Sequence, residues 1–475
     1  MKFSFLNPSP SPDTPDMVVT AWPPLGMLYC AEVLMNEGIE VSILDQAAMG
    51  FSSKQTLDWV KKEDPDILGL SVLSSAAKEA PKIAEQVKAE NPNITIVFGN
   101  YHATFNAERI LKKYPSVDVI VRGEGEYTSL ELAKCLETGK SIEEVKGIAF
   151  RKNGKIVLTP DRPLIKDVDT LPFPNRDLVS ASYSSMIYGV RVASRKFSTI
   201  VSSRGCPFQC SFCGCRKFAR GVWRPRSVEN IIKELEFLQS QGYEQFLFVD
   251  DNFTLNPKRV IEYCRRLKKE GMDVEWFCDS RVDNCQYDMF REMVKTGCKV
   301  VYFGIESANQ RILDYYRKGI TPDQSEGAVR KARKAGTDVI VGSFIFGAPD
   351  ETRQEIENTL KFVNKLDIDV PQLNVLGAFR GTDLWTDLVA KGYINEEEYW
   401  ETGVYVPRVS PHAVRFDEIR LAIYDYFRAF YLRPKTLFSE LLRTLKSSYR
   451  LGVFLANATR INLIIQSVRQ GVRLD

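Results

Sequence analysis

Short apolar runs alternate with amphipathic stretches along the first 150 residues of the chain. The pattern predicts strands at residues 2–6, 41–44, 67–72, 94–98 and 117–121, and helices at 27–36, 53–63, 76–90, 107–113 and 128–138. Strands and helices that alternate in this way are typical of a parallel, doubly wound sheet. The ligands of such a sheet bind at the carboxyl ends of its strands.

The same alternation resumes after residue 195. Strands are predicted at 197–203, 245–249, 274–278, 300–305, 338–346 and 371–378, and helices at 228–239, 257–270, 287–296, 321–335 and 352–366. Ser227 is predicted to cap the first of these helices, with Asn230 three residues further on. Six strands, each followed by a helix, suggest a partial (β/α)6 barrel, in which function collects at the carboxyl ends of the strands.

The pattern changes between these regions and again after them. Residues 147–158 predict a hairpin with Asn153 and Gly154 as its turn, and two prolines between 171 and 177 favour an extended connector. Residues 401–475 predict helices at 416–431, 435–445 and 449–468. We therefore divide the chain into a domain at 1–146, a hairpin and connector at 147–195, a second domain at 196–400 and a helical C-terminal segment at 401–475.

The composition narrows the class of protein. With 475 residues, 44% hydrophobic and 26% charged, the chain is typical of globular proteins, and its net charge of +3 gives no sign of a nucleic-acid partner. Ten cysteines in so long a chain indicate free thiols rather than a disulfide framework, and hence a reducing cytoplasm. We expect neither a signal peptide nor a membrane-spanning helix, because no apolar run is long enough.

Three cysteines are clustered directly after the predicted strand at 197–203. Cys206, Cys210 and Cys213 have the spacing C-x3-C-x2-C. Thiolates are soft ligands that select iron–sulfur clusters or zinc. A four-iron cluster held by three cysteines leaves one iron open to a small molecule, which is a catalytic arrangement. A zinc knuckle or a set of incidental buried thiols is the alternative at this point.

This loop resembles the cluster loop of the radical S-adenosylmethionine (SAM) superfamily, including Phe212 before the last cysteine. The resemblance implies a [4Fe-4S] cluster whose open iron binds SAM and a flavodoxin- or ferredoxin-type reductant. It also implies SAM contacts at successive strand ends: Asp250 and Asp251 for the ammonium group, Arg281 for the carboxylate, Glu306 with Ser307 for the ribose, and Gly342, Gly347 and Pro349 along the adenine.

The loops of the first domain resemble those of cobalamin-binding domains. Ser71 and Leu73 match an S-x-L element, Gly99 and Asn100 match a G-G turn, and Asp45 and Gly50 match the ends of a D-x-H-x-x-G element. Ala47 stands where that element has its histidine, so the resemblance implies base-off cobalamin without a histidine ligand. His102 is predicted to line the pocket, and Glu124 to hold a loop at the same edge. A domain with this fold but without the cofactor is the alternative.

The whole chain resembles the group that contains the anaerobic magnesium-protoporphyrin ester cyclase and the hopanoid methylases. The resemblance implies that a 5′-deoxyadenosyl radical activates a C–H bond and that an unactivated carbon of a large, apolar substrate, a lipid or a tetrapyrrole, is methylated. Oxidative cyclisation or hydroxylation and a cobalamin-free radical SAM enzyme are the alternatives. An electron-transfer protein would form no 5′-deoxyadenosine, and a methylthiolase would need a second cluster, for which the first domain has only Cys30 and Cys135.

Basic and apolar residues share the C-terminal segment. An amphipathic basic segment either packs on the barrel with its charged face in solvent or lies on an anionic membrane. The expected location is therefore the cytoplasm, with this segment as a candidate for peripheral membrane contact.

Overall fold

The structure, a computed structural model, describes residues 1–11, 22–187, 190–397, 414–431 and 433–457. Its contacts divide the chain into two compact units. The first contains Met1–Tyr183, and the second contains Ser184–Glu396 together with the described C-terminal residues.

The first unit is built on a seven-stranded sheet with the order β2-β1-β3-β4-β5-β6-β7. All five predicted parallel strands are confirmed: β1 (Lys2–Asn7), β2 (Glu40–Asp45), β3 (Ile67–Ser71), β4 (Thr95–Gly99) and β5 (Val119–Val121). The strand order reverses at β1, so the crevice at the carboxyl ends of β1 and β3 is where a doubly wound sheet binds its ligand.

Seven helices of the described chain cover this sheet: α1 (Leu25–Met35), α2 (Gln46–Met49), α3 (Ser53–Glu63), α4 (Glu79–Glu90), α5 (Asn100–Phe105), α6 (Ala107–Lys113) and α7 (Glu126–Glu137). Buried aliphatic residues of the strands and of α4 and α6 form the core, as the period predicted. Helices α2 and α5 were expected to be loops. Each has six residues or fewer, which is too short to show a helical apolar period.

The predicted hairpin forms from β6 (Ile148–Lys152) and β7 (Lys155–Leu158). Asn153 and Gly154 have φ of 51° and 73°, the left-handed pair that a type I′ turn requires. Strand β6 pairs antiparallel with β5, so the hairpin extends the first sheet. The first unit therefore runs beyond residue 146, where the sequence division ended it, because these backbone hydrogen bonds join the hairpin to the sheet.

The second unit contains the predicted six-stranded sheet. Its order is β10-β13-β14-β15-β16-β17, and every pair is parallel. The strands are β10 (Phe197–Ile200), β13 (Gln245–Phe248), β14 (Glu275–Arg281), β15 (Cys298–Glu306), β16 (Val339–Phe346) and β17 (Val370–Val375). Two short antiparallel pairs accompany it: β8 (Met186–Ile187) with β9 (Val190–Arg191), and β11 (Ser203–Arg204) with β12 (Arg224–Pro225).

Helices follow the strands in the order expected of a partial barrel. They are α8 (Cys215–Phe218), α9 (Val228–Ser240), α10 (Pro257–Lys269), α11 (Tyr287–Lys295), α12 (Gln310–Tyr315), α13 (Pro322–Ala335), α14 (Arg353–Lys365) and α15 (Asp383–Ala390). The Ser227 side chain accepts a hydrogen bond from the Asn230 N–H at 3.1 Å, which confirms the predicted cap. Outward-facing residues of the strands pack against these helices in one large core.

The C-terminal segment is helical where it is described, with α16 (Phe416–Tyr431), α17 (Pro434–Lys446) and α18 (Ser448–Asn457). The remainder of the helix predicted at 449–468 lies outside the described residues. Two of its basic side chains bind the barrel: Asp369, at the start of β17, accepts from Arg443 at 2.8 Å and from Arg450 at 2.5 Å. No described helix has both the length and the apolarity needed to cross a bilayer.

Candidate functional site

The loop between β10 and the first cysteine is held by a buried carboxylate. Asp250, two residues after β13, accepts from the Ser202 N–H at 2.7 Å, the Ser202 hydroxyl at 2.6 Å and the Ser203 hydroxyl at 2.5 Å. From the other side, Arg259 on α10 donates to the Ser202 carbonyl at 2.6 Å. Burial raises the pKa of Asp250, and these donors oppose that rise. The loop is thus fixed through both its N–H and its C=O groups.

Gly205 brings the chain to Cys206 through a conformation that other residues avoid. Its φ is +84°, and a Cβ there would overlap the carbonyl oxygen of Val222 and lie 2.8 Å from Ala219 Cβ. Its N–H donates to Asp251 at 3.0 Å. Only glycine satisfies both the dihedral angle and the close packing.

The three cysteines follow on one loop, half-buried and free. Burial raises the pKa of the Cys206 and Cys210 thiols, and the charge of Cys213 raises both further, so the thiols lie within electrostatic reach of one another. A hydrogen bond from Cys215 lowers the pKa of Cys213 to about 7. In the described part of the chain, no three Cys, His, Asp or Glu side chains converge closely enough to hold one metal ion. The thiols therefore share a loop without forming a closed ligand set.

A second segment, residues 315–318 at the end of α12, packs against the cysteine loop. The Ser211 N–H donates to the Tyr316 carbonyl at 2.8 Å, and the Ser211 hydroxyl donates to the Tyr315 carbonyl at 3.2 Å. The rings of Phe212 and Tyr316 meet edge to face with centroids 5.3 Å apart. This segment supports the loop at the turn between Cys210 and Cys213.

Arg281, at the end of β14, also belongs to this support. Its guanidinium stacks 3.6 Å from the ring centroid of Phe208 and donates to Asp283 at 2.9 Å, to the Lys318 carbonyl at 2.6 Å and to Cys210 Sγ at 3.6 Å. The structure directs its donors to the cysteine loop and its supports. The contact of Arg281 with the SAM carboxylate stays a prediction.

The two predicted ammonium ligands differ in environment. Asp250 is 2% exposed and its carboxylate is occupied by the serines described above. Asp251 is exposed, and its carboxylate accepts from the Gly205 N–H at 3.0 Å and from the Cys215 thiol. Its charge also raises the pKa of Cys206, so it lies near the thiols. Asp251 is the carboxylate that remains open to a cationic ligand.

Glu306, at the end of β15, forms a buried ion pair that the sequence did not indicate. Its Oε1 accepts from Lys318 Nζ at 2.7 Å. Its φ is +66°, which is uncommon for a residue with a side chain and marks a constrained position. Ser307 is fully buried, and its hydroxyl accepts from the Asn309 N–H at 3.1 Å, so its observed role is to fix the turn after the strand.

The predicted adenine element follows β16 as expected. A Cβ on Gly342 would lie 3.1 Å from Ile368 and 3.2 Å from Ile305, so this glycine fits tightly into the apolar core. Gly347 has φ of +90° and donates its N–H to Glu351 Oε2 at 2.5 Å, and Pro349 is buried in the same turn. Burial raises the pKa of Glu351 to about 7.

In the first unit, three predicted residues converge at the ends of β3 and β4. Asn100 has φ of +77°, which Asn tolerates better than most residues, and its Nδ2 donates to the Ser71 hydroxyl at 2.9 Å. Gly99 ends β4 and pairs in register with Ser71. The match to a G-G turn therefore has a physical basis, because the second position needs a residue that accepts the left-handed conformation.

An apolar side chain and a neutral imidazole border the same edge. Leu73 is 45% exposed, although Val72 before it is buried. His102 Nδ1 lies 3.5 Å from both Ser74 Oγ and Asn106 Nδ2, and burial lowers the pKa of His102 to about 4. An exposed leucine beside small polar groups fits the face of a corrin ring, so these residues are compatible with cobalamin. The pocket-lining role of His102 stays a prediction.

The remaining predicted cobalamin residues have structural roles in this unit. Asp45 accepts from the Ala48 N–H at 3.2 Å and from the Tyr183 hydroxyl at 3.0 Å, and Gly50 ends helix α2 in the left-handed conformation. The D-x-A-x-x-G element thus forms a one-turn helix capped at both ends. Glu124 accepts from the Ile165 N–H at 2.9 Å, and so holds a loop as expected.

Comparisons with known proteins identify both units. The chain matches the description "Radical SAM superfamily" over residues 200–363 and "B12 binding domain" over residues 17–133. It is 37% identical to an uncharacterized methyltransferase of Pyrococcus horikoshii, over 93% of this chain and 95% of that protein. The chain belongs to the B12-binding radical SAM family. It is also 30% identical to the anaerobic magnesium-protoporphyrin IX monomethyl ester cyclase of Rubrivivax gelatinosus, over 88% of this chain and 75% of that enzyme.

A solved structure has the same fold. The radical SAM methyltransferase TsrM of Kitasatospora setae, with cobalamin and a [4Fe-4S] cluster bound, aligns with a TM-score of 0.67 and 17% identity, over 82% of this chain and 75% of that one. The predicted family and fold class are confirmed. As a member of the cobalamin-dependent radical SAM methyltransferase family, the protein is an enzyme whose cofactors are a [4Fe-4S] cluster, SAM and cobalamin.

Sequence reasoning missed two residues of this site. Lys318 follows α12, a helix that was not predicted, and Glu351 lies two residues beyond the adenine element. Lys318 contacts Glu306, twelve residues earlier, and Glu351 accepts from the backbone N–H of Gly347. No motif spacing in the sequence indicates either contact.

Proposed function

We propose that this radical SAM enzyme methylates an unactivated carbon of a large, apolar small-molecule substrate. The proposal rests on three thiols held on one loop near two carboxylates, Asp251, which is exposed, and Glu306, whose Oε1 is held by Lys318. The full-length similarity to a methyltransferase supports methyl transfer as the outcome.

We assign the cluster to Cys206, Cys210 and Cys213, because no other described loop presents three thiols. Phe212 and Arg281 hold this loop from either side: the ring packs on Tyr316, and the guanidinium donates to Cys210. The cluster and SAM supply the radical that opens a C–H bond, and cobalamin supplies the methyl group. Reduction of the cluster requires a one-electron donor, for which a flavodoxin- or ferredoxin-type protein is proposed.

SAM is a cation with an ammonium, a carboxylate and a ribose diol. Asp251 is assigned to the ammonium group, because it is exposed and near the thiols, whereas Asp250 holds the loop from beneath. Glu306 is assigned to the ribose hydroxyls. The turn at Gly347 and Pro349, with Gly342 in the strand before it, is assigned to the adenine. Ser307 supports this site through its turn and contacts no ligand in the proposal.

Cobalamin is assigned to the edge formed by Ser71, Leu73, Gly99, Asn100 and His102. No histidine stands at position 47, so the cofactor is proposed to bind base-off and without a histidine ligand from that element. Asp45, Gly50 and Glu124 shape the surrounding loops.

The first test is SAM cleavage by anaerobically reconstituted protein after reduction with dithionite. The expected product is 5′-deoxyadenosine, together with corrinoid absorbance after incubation with hydroxocobalamin. Cys210→Ala should abolish cleavage and the brown chromophore, whereas Cys135→Ala, in the first unit, should leave both unchanged. Unaltered turnover in Cys210→Ala would refute the cluster assignment.

Cyclisation is the second candidate outcome, because the cyclase of Rubrivivax gelatinosus is similar over most of the chain. SAM with a labelled methyl group separates the two reactions. Methylation transfers the label to the product, and cyclisation leaves the product unlabelled.

A peripheral membrane contact is proposed for α17 and α18 on the cytoplasmic side. Apolar side chains of both helices are exposed: Leu437 56%, Phe438 64%, Leu441 56%, Leu445 70%, Phe454 54% and Leu455 63%. Such a face suits an enzyme that receives an apolar substrate from a bilayer. Flotation with anionic vesicles should recover the wild type and lose Leu445→Glu. Leu158→Glu, at an exposed leucine of the hairpin, is the matched control, and equal flotation of all three proteins would refute the contact.

A further inference from the structure

Lys318 is a buried cation that forms an ion pair with Glu306 in space left by Gly304. Its Nζ lies 2.7 Å from Glu306 Oε1, and the two residues are 7% and 5% exposed. A Cβ on Gly304 would lie 2.8 Å from both of these atoms, so the strand leaves space for the pair only because residue 304 is glycine. A buried ion pair loses hydration and is a weak source of stability compared with apolar packing. This pair therefore invites a functional explanation.

The Lys318 ammonium fixes one oxygen of a constrained carboxylate. Glu306 is in the left-handed region, where β15 and β16 shift register between Gly304 and Glu306. Within the described residues no group donates a hydrogen bond to Glu306 Oε2. An ammonium on Oε1 fixes the direction of the carboxylate, which leaves Oε2 to accept a hydroxyl group.

The same residue also contacts the cysteine loop. Lys318 Nζ lies 5.9 Å from the ring centroid of Phe212, within the range of a cation–π contact. Its carbonyl accepts from Arg281 at 2.6 Å, and Arg281 in turn donates to Cys210 Sγ at 3.6 Å. One residue therefore joins the Glu306 carboxylate to the loop that carries the thiols.

We infer that Lys318 is a positioning residue that holds Glu306 for the ribose diol of SAM and links that subsite to the cluster loop. The inference rests on the proposed function, because it takes the adenosyl group as the ligand. It assigns Lys318 no contact with SAM. Its effect passes through the Glu306 carboxylate, and so it should depend on the hydroxyl groups of the ligand.

The test uses the full-length, anaerobically reconstituted protein and its Lys318→Met variant. Binding of SAM is measured by equilibrium dialysis, with adenosine and 2′,3′-dideoxyadenosine as competitors. Lys318→Met should weaken the binding of SAM and of adenosine by about tenfold, because the displaced Glu306 loses one charge-assisted hydrogen bond to the ribose. The affinity for 2′,3′-dideoxyadenosine should stay unchanged. The electron paramagnetic resonance signal of the reduced cluster should also change when SAM is added to the wild type, and change less in the variant.

Lys299→Met is the matched control. Lys299 lies at the start of β15, the strand that ends at Glu306. Its ammonium pairs with Asp338 at 3.5 Å, and its side chain is 22% exposed. This variant should bind both competitors as the wild type does. If Lys318→Met fails to fold, Glu306→Gln serves in its place, because it keeps the shape of the side chain and should show the same dependence on the diol.

Equal losses for adenosine and its dideoxy analogue, or no loss for either, would overturn the inference. Either result in Glu306→Gln would have the same consequence. A wild type that binds no SAM would instead refute the proposed function, so the two failures are distinguishable.

Discussion

Removal of the Asp250 carboxylate should open the loop that leads to the cysteines. Asp250→Ala deletes the acceptor of one backbone N–H and two hydroxyl groups, all within 2.7 Å of it. A buried donor left without an acceptor costs about 1–3 kcal/mol. The two hydroxyls can rotate towards other acceptors, whereas the Ser202 N–H cannot.

Counting the N–H in full and the hydroxyls in part gives a local loss of about 3 kcal/mol, which corresponds to about 100-fold in the opening equilibrium. Hydrogen–deuterium exchange with mass spectrometry measures this directly, because the Ser202 amide exchanges only when the loop opens. In Asp250→Ala this amide should exchange about 100-fold faster, and the protein should retain less iron after reconstitution. Asp250→Asn keeps one acceptor, so its exchange rate at Ser202 should lie between those of the wild type and of Asp250→Ala.

The neighbouring Asp251 provides the control. Asp251→Ala removes the acceptor of the Gly205 N–H and of the Cys215 thiol but no contact of Ser202, and should leave the Ser202 amide protected. Its SAM affinity should fall by about tenfold, the loss of one charge-assisted contact. Wild-type exchange at Ser202 in Asp250→Ala would refute the assignment of a structural role to Asp250, and normal SAM affinity in Asp251→Ala would refute the ligand assignment.

Two further substitutions test the packing and the electrostatics of the second unit. Gly205→Ala places a methyl group against the Val222 carbonyl at a φ of +84°, so we expect loss of iron incorporation and of activity. The control is Gly271→Ala, at a φ of +62° and with no atom within 4 Å of its Cβ, which should keep its iron content. Wild-type iron content in Gly205→Ala would contradict this expectation. Glu351→Gln tests the buried carboxyl whose pKa is raised to about 7. Because the folded state holds this proton more tightly than the unfolded state, the wild type loses stability as the pH rises from about 4.5 to 7, by up to about 3 kcal/mol. The melting temperature of Glu351→Gln should therefore exceed that of the wild type at pH 8 and match it at pH 4.5, and a constant difference across that range would contradict the assignment.

The hydrophobic pattern predicted both sheets because each parallel strand is buried and therefore forms a short apolar run between two helices. The five parallel strands of the first unit and the six of the second lie within a few residues of their predicted positions. The short helices α2 and α5 escaped prediction because their ends, rather than their period, define them. Asp45 and Gly50 cap α2, and the same two residues had suggested a cofactor contact.

The support of the cysteine loop could not be predicted from the chain. Ser211 and Tyr316 are 105 residues apart, and their contact is a backbone hydrogen bond that any residue type can make. The hydrogen bonds of Arg281 to the Lys318 carbonyl and to Cys210 could not be predicted either. A position at the end of a strand indicates that a side chain faces the site, but its partners depend on which loops fold over it.

Removal of iron should show whether the cysteine loop is folded by the protein alone or only when the metal is bound. Structural zinc sites take their folding energy from the metal, and chelators unfold them. Here the loop is held by protein groups alone: Ser202 by Asp250, Gly205 by Asp251, and Ser211 by Tyr316. Apoprotein made with a chelator should therefore keep its far-ultraviolet circular dichroism and its slow exchange at Ser202, while SAM binding falls because the open iron is gone. Unfolding of residues 201–213 on chelation would instead mean that the cluster organises the loop, and would refute this reasoning.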